Sequence, residues 1–323
     1  MAFPTETVYG LGVHALNREA VLKLFEAKGR PADDPLIVHI AEFTAITPLI
    51  ESMPEAAGML AARFWPGPLT LVLPRGRHVP LEVTAGLDTV AVRIPSHPVA
   101  RALLTAAAIP VAAPSANLFS RPSPTRAAHV LEDLEGRIDM VVDAGATDVG
   151  VESTVLDLTV TPPQILRPGA ITLETLQAVL PSVDVANPRA PGTPMPSPGL
   201  LPTHYAPRAP MTLFQGEAAA TRDALAEAAR HAIASGRRVG VIASAGDLAV
   251  LSGLPVVVAE IGPDDSANAM AARLYGALRE LDAAEVDLIV AREPPRHDGL
   301  WRALRDRLRR AAAHLVAVGA ARR

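Results

Sequence analysis

Apolar and polar positions along the first 180 residues follow two periods, one typical of strands and one typical of helices. Short apolar runs predict strands at 36–40, 69–73, 90–94, 111–113, 140–143, 153–157 and 165–167. Amphipathic segments predict helices at 18–27, 54–65, 97–107, 126–134 and 172–180. Because the two kinds of segment mix irregularly, the pattern favours an α/β (α+β) domain with a twisted, mixed sheet and flanking helices.

The pattern changes at residue 181, where prolines become frequent, and again after residue 210. Residues 181–210 are predicted to be a Pro-rich linker, whose His204-Tyr205-Ala206-Pro207 stretch is more specific than a spacer needs. Beyond it, strands at 211–214, 239–243, 256–261 and 286–291 alternate with helices at 218–235, 267–281 and 300–318. This alternation predicts a small, parallel, Rossmann-like three-layer α/β domain at 211–323, after an N-terminal domain at 1–180.

Composition narrows the function classes. Aromatic residues are only 3% of the chain, which argues against a protein that stacks nucleic-acid bases. The net charge of −4 argues against an overall basic field that would hold RNA. There is no cysteine, so disulfides, thiolate catalysis and cysteine-ligated metals are excluded. With no bilayer-length apolar run and no signal peptide, we expect a cytoplasmic protein without membrane contact. Because Met1-Ala2-Phe3 runs directly into a polar loop, we also expect a truncated N-terminus.

The Lys28-Gly29-Arg30-Pro31 loop places two positive side chains one residue apart, between a predicted helix and a predicted strand. Glycine lets the backbone turn closely, and proline stops the helix. Lysine supplies a compact charge and arginine a planar fork for phosphate or carboxylate, so the loop suits an anionic ligand. The more common explanation of such a pair is a solvated helix end that complements the helix dipole.

Further polar side chains lie in loops near strand ends, where open sheets place ligands. They are Thr5, Glu6, Thr7 and Tyr9; Asp34; His39; Thr89 and Arg93; Ser115, Asn117 and Ser123; Glu152, Ser153 and Thr154; and Arg167. Taken singly, each of these side chains has a purely structural explanation. Arg93 or Arg167 would form a surface ion pair, His39 would be a hydrogen-bonded histidine at the core edge, and Ser115-Ala116-Asn117 would cap a turn or helix. Together they indicate a site for a polar, anionic ligand with no protein-held metal, to which Mg²⁺ would arrive with a phosphate.

Five motifs follow one another along the chain: Phe3-Pro4-Thr5-Glu6-Thr7-Val8-Tyr9-Gly10-Leu11, Lys28-Gly29-Arg30-Pro31, Pro35-Leu36-Ile37-Val38-His39, Trp65-Pro66-Gly67-Pro68-Leu69-Thr70 and Pro114-Ser115-Ala116-Asn117. In this order they resemble the YrdC-like threonylcarbamoyl-AMP synthases. The resemblance covers residues 1–180, and the linker and α/β tail resemble the long two-domain form of the family. Asp34 departs from the family pattern, which usually has asparagine there.

The resemblance implies an L-threonylcarbamoyladenylate synthase, a nucleotidyltransferase that joins L-threonine, bicarbonate or CO₂, and ATP with Mg²⁺, and releases pyrophosphate. A downstream transferase complex would pass the threonylcarbamoyl group to an adenosine beside the anticodon of tRNA. The resemblance implies catalytic roles for Lys28, Arg30, Ser115 and Asn117. It implies ATP contacts from Arg30, Asp34, Thr89, Ser115, Ser123, Arg167 and Tyr205, the last on a linker that closes as a lid. It implies threonine contacts from Thr7, His39, Arg93 and Ser153.

Two other interpretations stay open from the residues alone. A concave basic surface would make an RNA-binding module without ATP turnover, although the acidic net charge counts against it. Its residues would be Lys28, Arg30, Arg93, Arg121 and Arg167. A relative that makes carbamoyl-adenylate during hydrogenase maturation is disfavoured, because such proteins use cysteine-rich zinc modules and this chain has no cysteine.

Overall fold

The computed structural model describes residues 1–187, 195, 197–199 and 204–319. The described residues of Met1–Phe119 and Ser123–Leu200 form one compact unit, and those of Ser120–Pro122 and Leu201–Arg323 form a second. Each unit has its own sheet and its own apolar core. Much of the expected linker, at 188–194, 196 and 200–203, lies outside the described residues.

The first unit contains short strands and helices in irregular order. Its strands are β1 (Ala2–Phe3), β2 (Gly10–Leu11), β3 (Val13–His14), β4 (Ile37–His39), β5 (Leu69–Pro74), β6 (Thr89–Arg93), β7 (Val111–Ala112), β8 (Thr154–Asp157), β9 (Gln164–Arg167) and β10 (Asp184–Val185). Its helices are α1 (Arg18–Lys28), α2 (Glu55–Phe64), α3 (Leu81–Thr84), α4 (Pro98–Ala107), α5 (Ala127–Leu134) and α6 (Leu173–Gln177), with a 3₁₀ helix at Phe43–Leu49.

Among the described residues of this unit, β3 to β10 form one mixed sheet in the order β10-β9-β8-β5-β6-β4-β7-β3, and β1 pairs with β2. The apolar core joins strand side chains such as Leu71 and Val92 to the buried face of α1, including Leu24. Parallel pairing of β4 with β6 sets His39 opposite Arg93 at the carboxyl ends of both strands. The sheet therefore brings two of the expected site residues side by side.

The second unit is a regular α/β arrangement. Its strands are β11 (Met211–Gly216), β12 (Val239–Ser244), β13 (Val257–Gly262), β14 (Leu288–Arg292) and β15 (His314–Val318). Its helices are α7 (Ala218–Ala234), α8 (Leu248–Leu251), α9 (Ala267–Ala283) and α10 (Trp301–Ala311), with a 3₁₀ helix at Ala245–Asp247. The strands pair in parallel in the order β13-β12-β14-β11-β15. The expected fold class, a mixed sheet followed by a Rossmann-like parallel sheet, is confirmed.

Two predicted elements are wrong. The helix predicted at 300–318 ends at Ala311, and His314–Val318 instead form the edge strand β15, which pairs with β11. Val316 and Val318 suit a strand, but the partner that selects this conformation lies about a hundred residues earlier in the sequence. The strand predicted at 140–143 forms only an isolated bridge between Val141 and Ala2.

In the described part of the chain, no helix is long and apolar enough to cross a membrane.

Candidate active site

Lys28 and Arg30 are buried where α1 ends. The helix turns its apolar face, with Val21 and Leu24, to the core and stops at Gly29, whose φ of 60° is in the left-handed region that glycine adopts without steric cost. Lys28 is 2% exposed and Arg30 is 8% exposed. The common explanation of such a pair, a solvated helix end, is therefore wrong here.

The Lys28 ammonium supports the loop that follows β7. Its Nζ donates to the carbonyl of Ser115 at 2.6 Å and to the carbonyl of Asn117. The N–H of Ala116, between them, donates to the carbonyl of Tyr9 at 2.8 Å. Burial, and after it the charge of Arg30, lower the pKa of Lys28 well below its ordinary value. An anionic ligand would oppose both effects and stabilise the charged ammonium.

Asp34 lies against the guanidinium of Arg30. Arg30 Nη2 is 2.9 Å from Asp34 Oδ2, and it also donates to the carbonyl of Pro35 at 2.8 Å. Burial raises the pKa of Asp34, whereas the charges of Arg30, Lys28 and Arg167 act in the opposite direction. Three cationic side chains are thus close enough to influence one buried carboxylate.

Arg93, at the end of β6, is held by protein atoms through three of its nitrogens. Its Nε donates to the carbonyl of Gly67 at 3.2 Å, and its Nη1 donates to Thr7 Oγ1 at 3.0 Å. Its Nη2 is 2.7 Å from Glu6 Oε1, and both side chains are buried. Burial alone would raise the pKa of Glu6, but the charge and hydrogen bond of Arg93 hold that pKa below its ordinary value. The two groups therefore form a buried ion pair.

The hydroxyl of Thr7 has a defined orientation. Thr5 Oγ1 donates to the carbonyl of Val8 at 2.6 Å, so its proton is already used. In the 2.8 Å contact between the two threonine hydroxyls, Thr7 must therefore be the donor. Thr7 Oγ1 then accepts from Arg93, and the threonine and the arginine position each other.

His39 is a neutral, buried side chain beside this pair. Burial, together with the neighbouring charge of Arg93, lowers the pKa of His39 to about 3. Its Nδ1 is 3.2 Å from the carbonyl of Ile37, which can only accept, so this contact favours the proton on Nδ1. The ring meets Phe3 edge-on at 6.2 Å between centroids. In that tautomer Nε2 is an acceptor suited to a hydroxyl group.

Arg167 and Ser153 form a second polar group at the ends of β8 and β9. Arg167 Nε donates to the carbonyl of Ser153 at 3.1 Å, and Nη2 donates to its hydroxyl at 3.1 Å. The Ser153 hydroxyl is also 2.8 Å from Thr70 Oγ1. A Cβ atom at Gly169 would lie 2.4 Å from the backbone nitrogen of Thr154, so glycine permits the close packing behind Ser153.

Ser123 connects the loop after β7 to the segment before β8. Its hydroxyl is fully buried and donates to Glu152 Oε1 at 2.6 Å, directly before Ser153 in the chain. Arg167 Nη1 donates to the carbonyl of Pro198, in the expected linker, at 3.3 Å. Loops from four parts of the sequence thus meet through buried polar contacts in the first unit.

Two family models match this chain one after the other. The model described as "Telomere recombination" matches residues 1–169, and the model described as "Threonylcarbamoyl-AMP synthase, C-terminal domain" matches residues 171–313. A threonylcarbamoyl-AMP synthase of Pyrococcus abyssi is 45% identical over 98% of this chain and 91% of its own length. The chain belongs to the threonylcarbamoyl-AMP synthase family. The expected resemblance is confirmed.

Other members of the threonylcarbamoyl-AMP synthase family agree with this assignment. The Bacillus subtilis member is 46% identical over 98% of this chain and 90% of its own length. A crystal structure of Pyrococcus abyssi Sua5 complexed with L-threonine superposes with a TM-score of 0.92 at 44% identity, covering 98% of this chain and 92% of that one. The similarity extends over both units, so the family assignment holds for the long two-domain form.

The synthase family also implies ATP contacts for Thr89 and Tyr205, whose surroundings are as follows. Thr89 begins β6, four residues before Arg93, which corresponds to roughly 13 Å along a strand. Tyr205 lies in the second unit, where its ring is 5.4 Å from that of Tyr275 and 5.4 Å from the guanidinium of Arg307. Their ATP contacts stay predictions.

Three polar residues that contact expected site residues were not assigned a role from the sequence. Glu6 and Glu152 counted only as members of polar loops, and Thr70 lies inside the apolar run that predicted β5. Charge balance could have identified the two glutamates, because a buried arginine needs an acidic partner. Each of the two glutamates directly precedes an expected site residue, Thr7 or Ser153.

The RNA-binding alternative loses its main support. Four of the five cations that motivated a basic surface are buried, with exposures of 2% for Lys28, 8% for Arg30, 3% for Arg93 and 4% for Arg167. Phosphate contacts that hold RNA need cations at the surface. The arrangement suits a small anionic ligand enclosed by the protein.

Proposed function

We propose that this chain forms L-threonylcarbamoyladenylate from L-threonine, bicarbonate or CO₂, and ATP. The threonine amine forms a bond to the carbon of CO₂ and loses a proton, which gives a carbamate. A carbamate oxygen then forms a bond to the α-phosphorus of ATP, while the bond to the bridging oxygen breaks and pyrophosphate leaves. Both reactants are anionic, so catalysis consists mainly of positioning and charge neutralisation.

The observation that carries this proposal is the pair of buried cations, Lys28 and Arg30, in contact with the Ser115-to-Asn117 loop and Asp34. Burial, and after it the charge of Arg30, lower the pKa of Lys28, so an anion beside the pair would stabilise the charged ammonium. A triphosphate supplies that anion. In this role Lys28 and Arg30 neutralise charge that develops on the leaving pyrophosphate.

We assign the remaining nucleotide contacts to polar residues near Lys28 and Arg30 and near Ser153. Ser115 and Asn117 orient the α-phosphate and the carbamate, and Ser123 and Arg167 complete the ATP site. Asp34 acts through Arg30, with which it pairs at 2.9 Å. We retain Thr89 and Tyr205 as proposed ATP contacts, the latter on a linker that closes over the nucleotide.

We assign threonine to the group that Arg93 organises. Arg93 suits the carboxylate of the amino acid, with Thr7 fixed beside it through a 3.0 Å hydrogen bond. The Nε2 of His39 accepts from the threonine hydroxyl, and Ser153 supplies a further hydroxyl contact. The crystal structure of the Pyrococcus abyssi relative complexed with L-threonine supports this substrate class.

Mg²⁺ enters with ATP as part of the substrate complex, because phosphate oxygens are the hard ligands that this ion prefers. The product is a mixed anhydride that water hydrolyses, so a downstream transferase must take the threonylcarbamoyl group directly to its acceptor. We propose the adenosine beside the anticodon of certain tRNAs as that acceptor. The absence of cysteine is compatible with the cytoplasm, which we propose as the compartment.

The test is pyrophosphate release with one reactant omitted at a time. We expect release only when ATP, L-threonine and bicarbonate are all present, and we expect alanine or serine to be poor substitutes for threonine. Arg30→Ala should lower turnover by at least about 100-fold, the usual effect of removing a transition-state charge contact. Arg296→Ala is the matched control, because Arg296 pairs with Asp298 at an exposed position.

Pyrophosphate release that does not depend on threonine would contradict the proposed substrate. Full turnover by folded Arg30→Ala would contradict the assigned site. Tight, salt-dependent tRNA binding without any turnover would favour the RNA-binding alternative.

A further inference from the structure

The three residues Ser120–Pro122 lie between two proposed ATP-site residues, Asn117 and Ser123, yet they belong to the second compact unit. The chain leaves the first unit after Phe119 and returns to it at Ser123. Any change in the position of this short segment is transmitted through the backbone to the residues on both sides. What holds the segment therefore bears on the ATP site.

Each residue of the segment has a contact within the second unit. Ser120 accepts a hydrogen bond at its carbonyl from the N–H of Ala206 at 2.8 Å. Arg121 Nη2 is 3.0 Å from Asp282 Oδ2. The carbonyl of Pro122 accepts from Arg279 Nη2 at 2.6 Å. Three consecutive residues are thus fixed by three separate interactions.

Asp282 and Arg279, which contact this segment, are buried side chains of one helix. Both lie near the end of α9, three residues apart and thus on one face of the helix, and both are buried. Asp282 Oδ1 also accepts from the N–H of Arg208 at 2.7 Å, which fixes the carboxylate. A buried carboxylate needs a cationic partner, and Arg121 supplies one.

Backbone strain also indicates that the segment is held firmly. Ser120 has a φ of 64° and Tyr205 a φ of 62°, both in the left-handed region that residues with a Cβ atom seldom adopt. The 2.8 Å hydrogen bond joins the carbonyl of Ser120 to the residue after Tyr205. Such conformations persist where the surrounding contacts over-determine them, and they concentrate at functional sites.

We propose that Arg121 is a positioning residue for the synthase reaction. Its ion pair with Asp282 fixes Ser120–Pro122 and thereby places Asn117 and Ser123 for ATP. This inference rests on the proposed function, because that function assigns Asn117 and Ser123 to the nucleotide.

The experiment compares steady-state kinetics and amide hydrogen exchange of the full-length protein and four variants. Asp282→Asn keeps an oxygen for the N–H of Arg208 but removes the charge, and Arg121→Met keeps the length of the side chain. Arg121→Lys is the conservative variant. Glu280→Gln is the matched control, because Glu280 lies on the same helix and pairs with Arg273 at an exposed position.

We expect Asp282→Asn and Arg121→Met to raise the KM for ATP by about tenfold or more, since small displacements of positioning groups have such effects. The KM for threonine should stay within about twofold, because its contacts lie on other loops. The backbone amides of residues 115–121 and of Ser123 should exchange faster in both variants. Arg121→Lys should restore most of the ATP affinity, and Glu280→Gln should behave as wild type.

Folded Asp282→Asn and Arg121→Met proteins with unchanged ATP KM and unchanged exchange would overturn the inference. The inference would also be overturned if both KM values were unchanged and turnover fell only in proportion to the fraction of protein that is unfolded. If Asp282→Asn fails to fold, the comparison of Arg121→Met with Arg121→Lys decides in the same way. An inactive wild-type protein would instead contradict the proposed function, so the two failures are distinguishable.

Discussion

Lys28 Nζ lies 2.6 Å from the carbonyl oxygen of Ser115, so the ammonium of one signature motif supports the backbone of the other. The same nitrogen donates to the carbonyl of Asn117. The Lys28-Gly29-Arg30 and Ser115-Ala116-Asn117 motifs are therefore joined by hydrogen bonds within the protein. Lys28 thus holds this loop and, in the proposed function, also supplies charge to the triphosphate, so one substitution tests both roles.

We predict that Lys28→Met lowers both stability and turnover. The buried carbonyl of Asn117 and the partly buried carbonyl of Ser115 lose their donor, which should reduce the free energy of unfolding by about 1–3 kcal/mol. Turnover should fall by at least about 100-fold because the charge on the leaving pyrophosphate is no longer balanced. Urea unfolding and pyrophosphate release measure the two effects. Lys23→Met, at an exposed position of the same helix, is the control and should change neither by much.

We predict that Asp34→Asn strengthens ATP binding. The carboxylate of Asp34 partly neutralises Arg30, and an asparagine removes that negative charge from beside the proposed triphosphate site. The KM for ATP should fall by about tenfold, which corresponds to roughly 1.4 kcal/mol. Asp33→Asn is the matched control, since Asp33 is the adjacent, exposed aspartate. A KM for ATP that rises in Asp34→Asn would show that the carboxylate itself assists nucleotide binding.

We predict that Glu6→Gln is strongly destabilising. It removes the charged partner of Arg93 from a pair in which both side chains are less than a tenth exposed. Breaking such a pair from one side typically costs about 3–5 kcal/mol of unfolding free energy. Glu19→Gln breaks the exposed pair with Lys23 and should cost less than about 1 kcal/mol. Equal losses in the two variants, measured by denaturant unfolding, would contradict the structural role of Glu6.

Much of the candidate site could be proposed from the sequence because its residues lie in short, local motifs. Glycine and proline mark the Lys28-Gly29-Arg30-Pro31 loop, and the position of a polar loop after an apolar run indicates a strand end without knowledge of the fold. The burial of Lys28 and Arg30 was not predictable in this way. It depends on a loop that follows β7, almost ninety residues later in the sequence.

The partners that the sequence did not reveal are all distant ones. Thr70 reaches Ser153 across the parallel pair of β5 and β8, and Glu6 reaches Arg93 from a loop near the N-terminus. Strand β15 was missed for the same reason. The helical pattern of α10 predicted a helix up to residue 318, but pairing with β11 makes His314–Val318 a strand. Sequence periodicity reports local preference, whereas these features are set by which strands become neighbours.

We predict that His39 makes the protein less stable toward acid. Its pKa is about 3 in the folded protein and about 6.5 in an unfolded chain, because the native ring is buried beside Arg93. Between these two pH values the unfolded chain binds a proton that the folded protein does not. Stability from this residue is therefore fully present above about pH 6.5 and is lost progressively as the pH falls toward 3.

The loss attributable to one such group is at most about 1.4 kcal/mol for each pH unit inside this window. His39→Gln removes the titration while keeping a polar side chain, and the carboxylates common to both proteins cancel in the difference. Urea unfolding at pH 7, 6, 5 and 4 should therefore show the free energies of the two proteins converging as the pH falls. Curves that stay parallel over this range would mean that His39 takes up its proton in the folded protein as readily as in the unfolded chain, and would contradict its assignment as a neutral acceptor for the threonine hydroxyl.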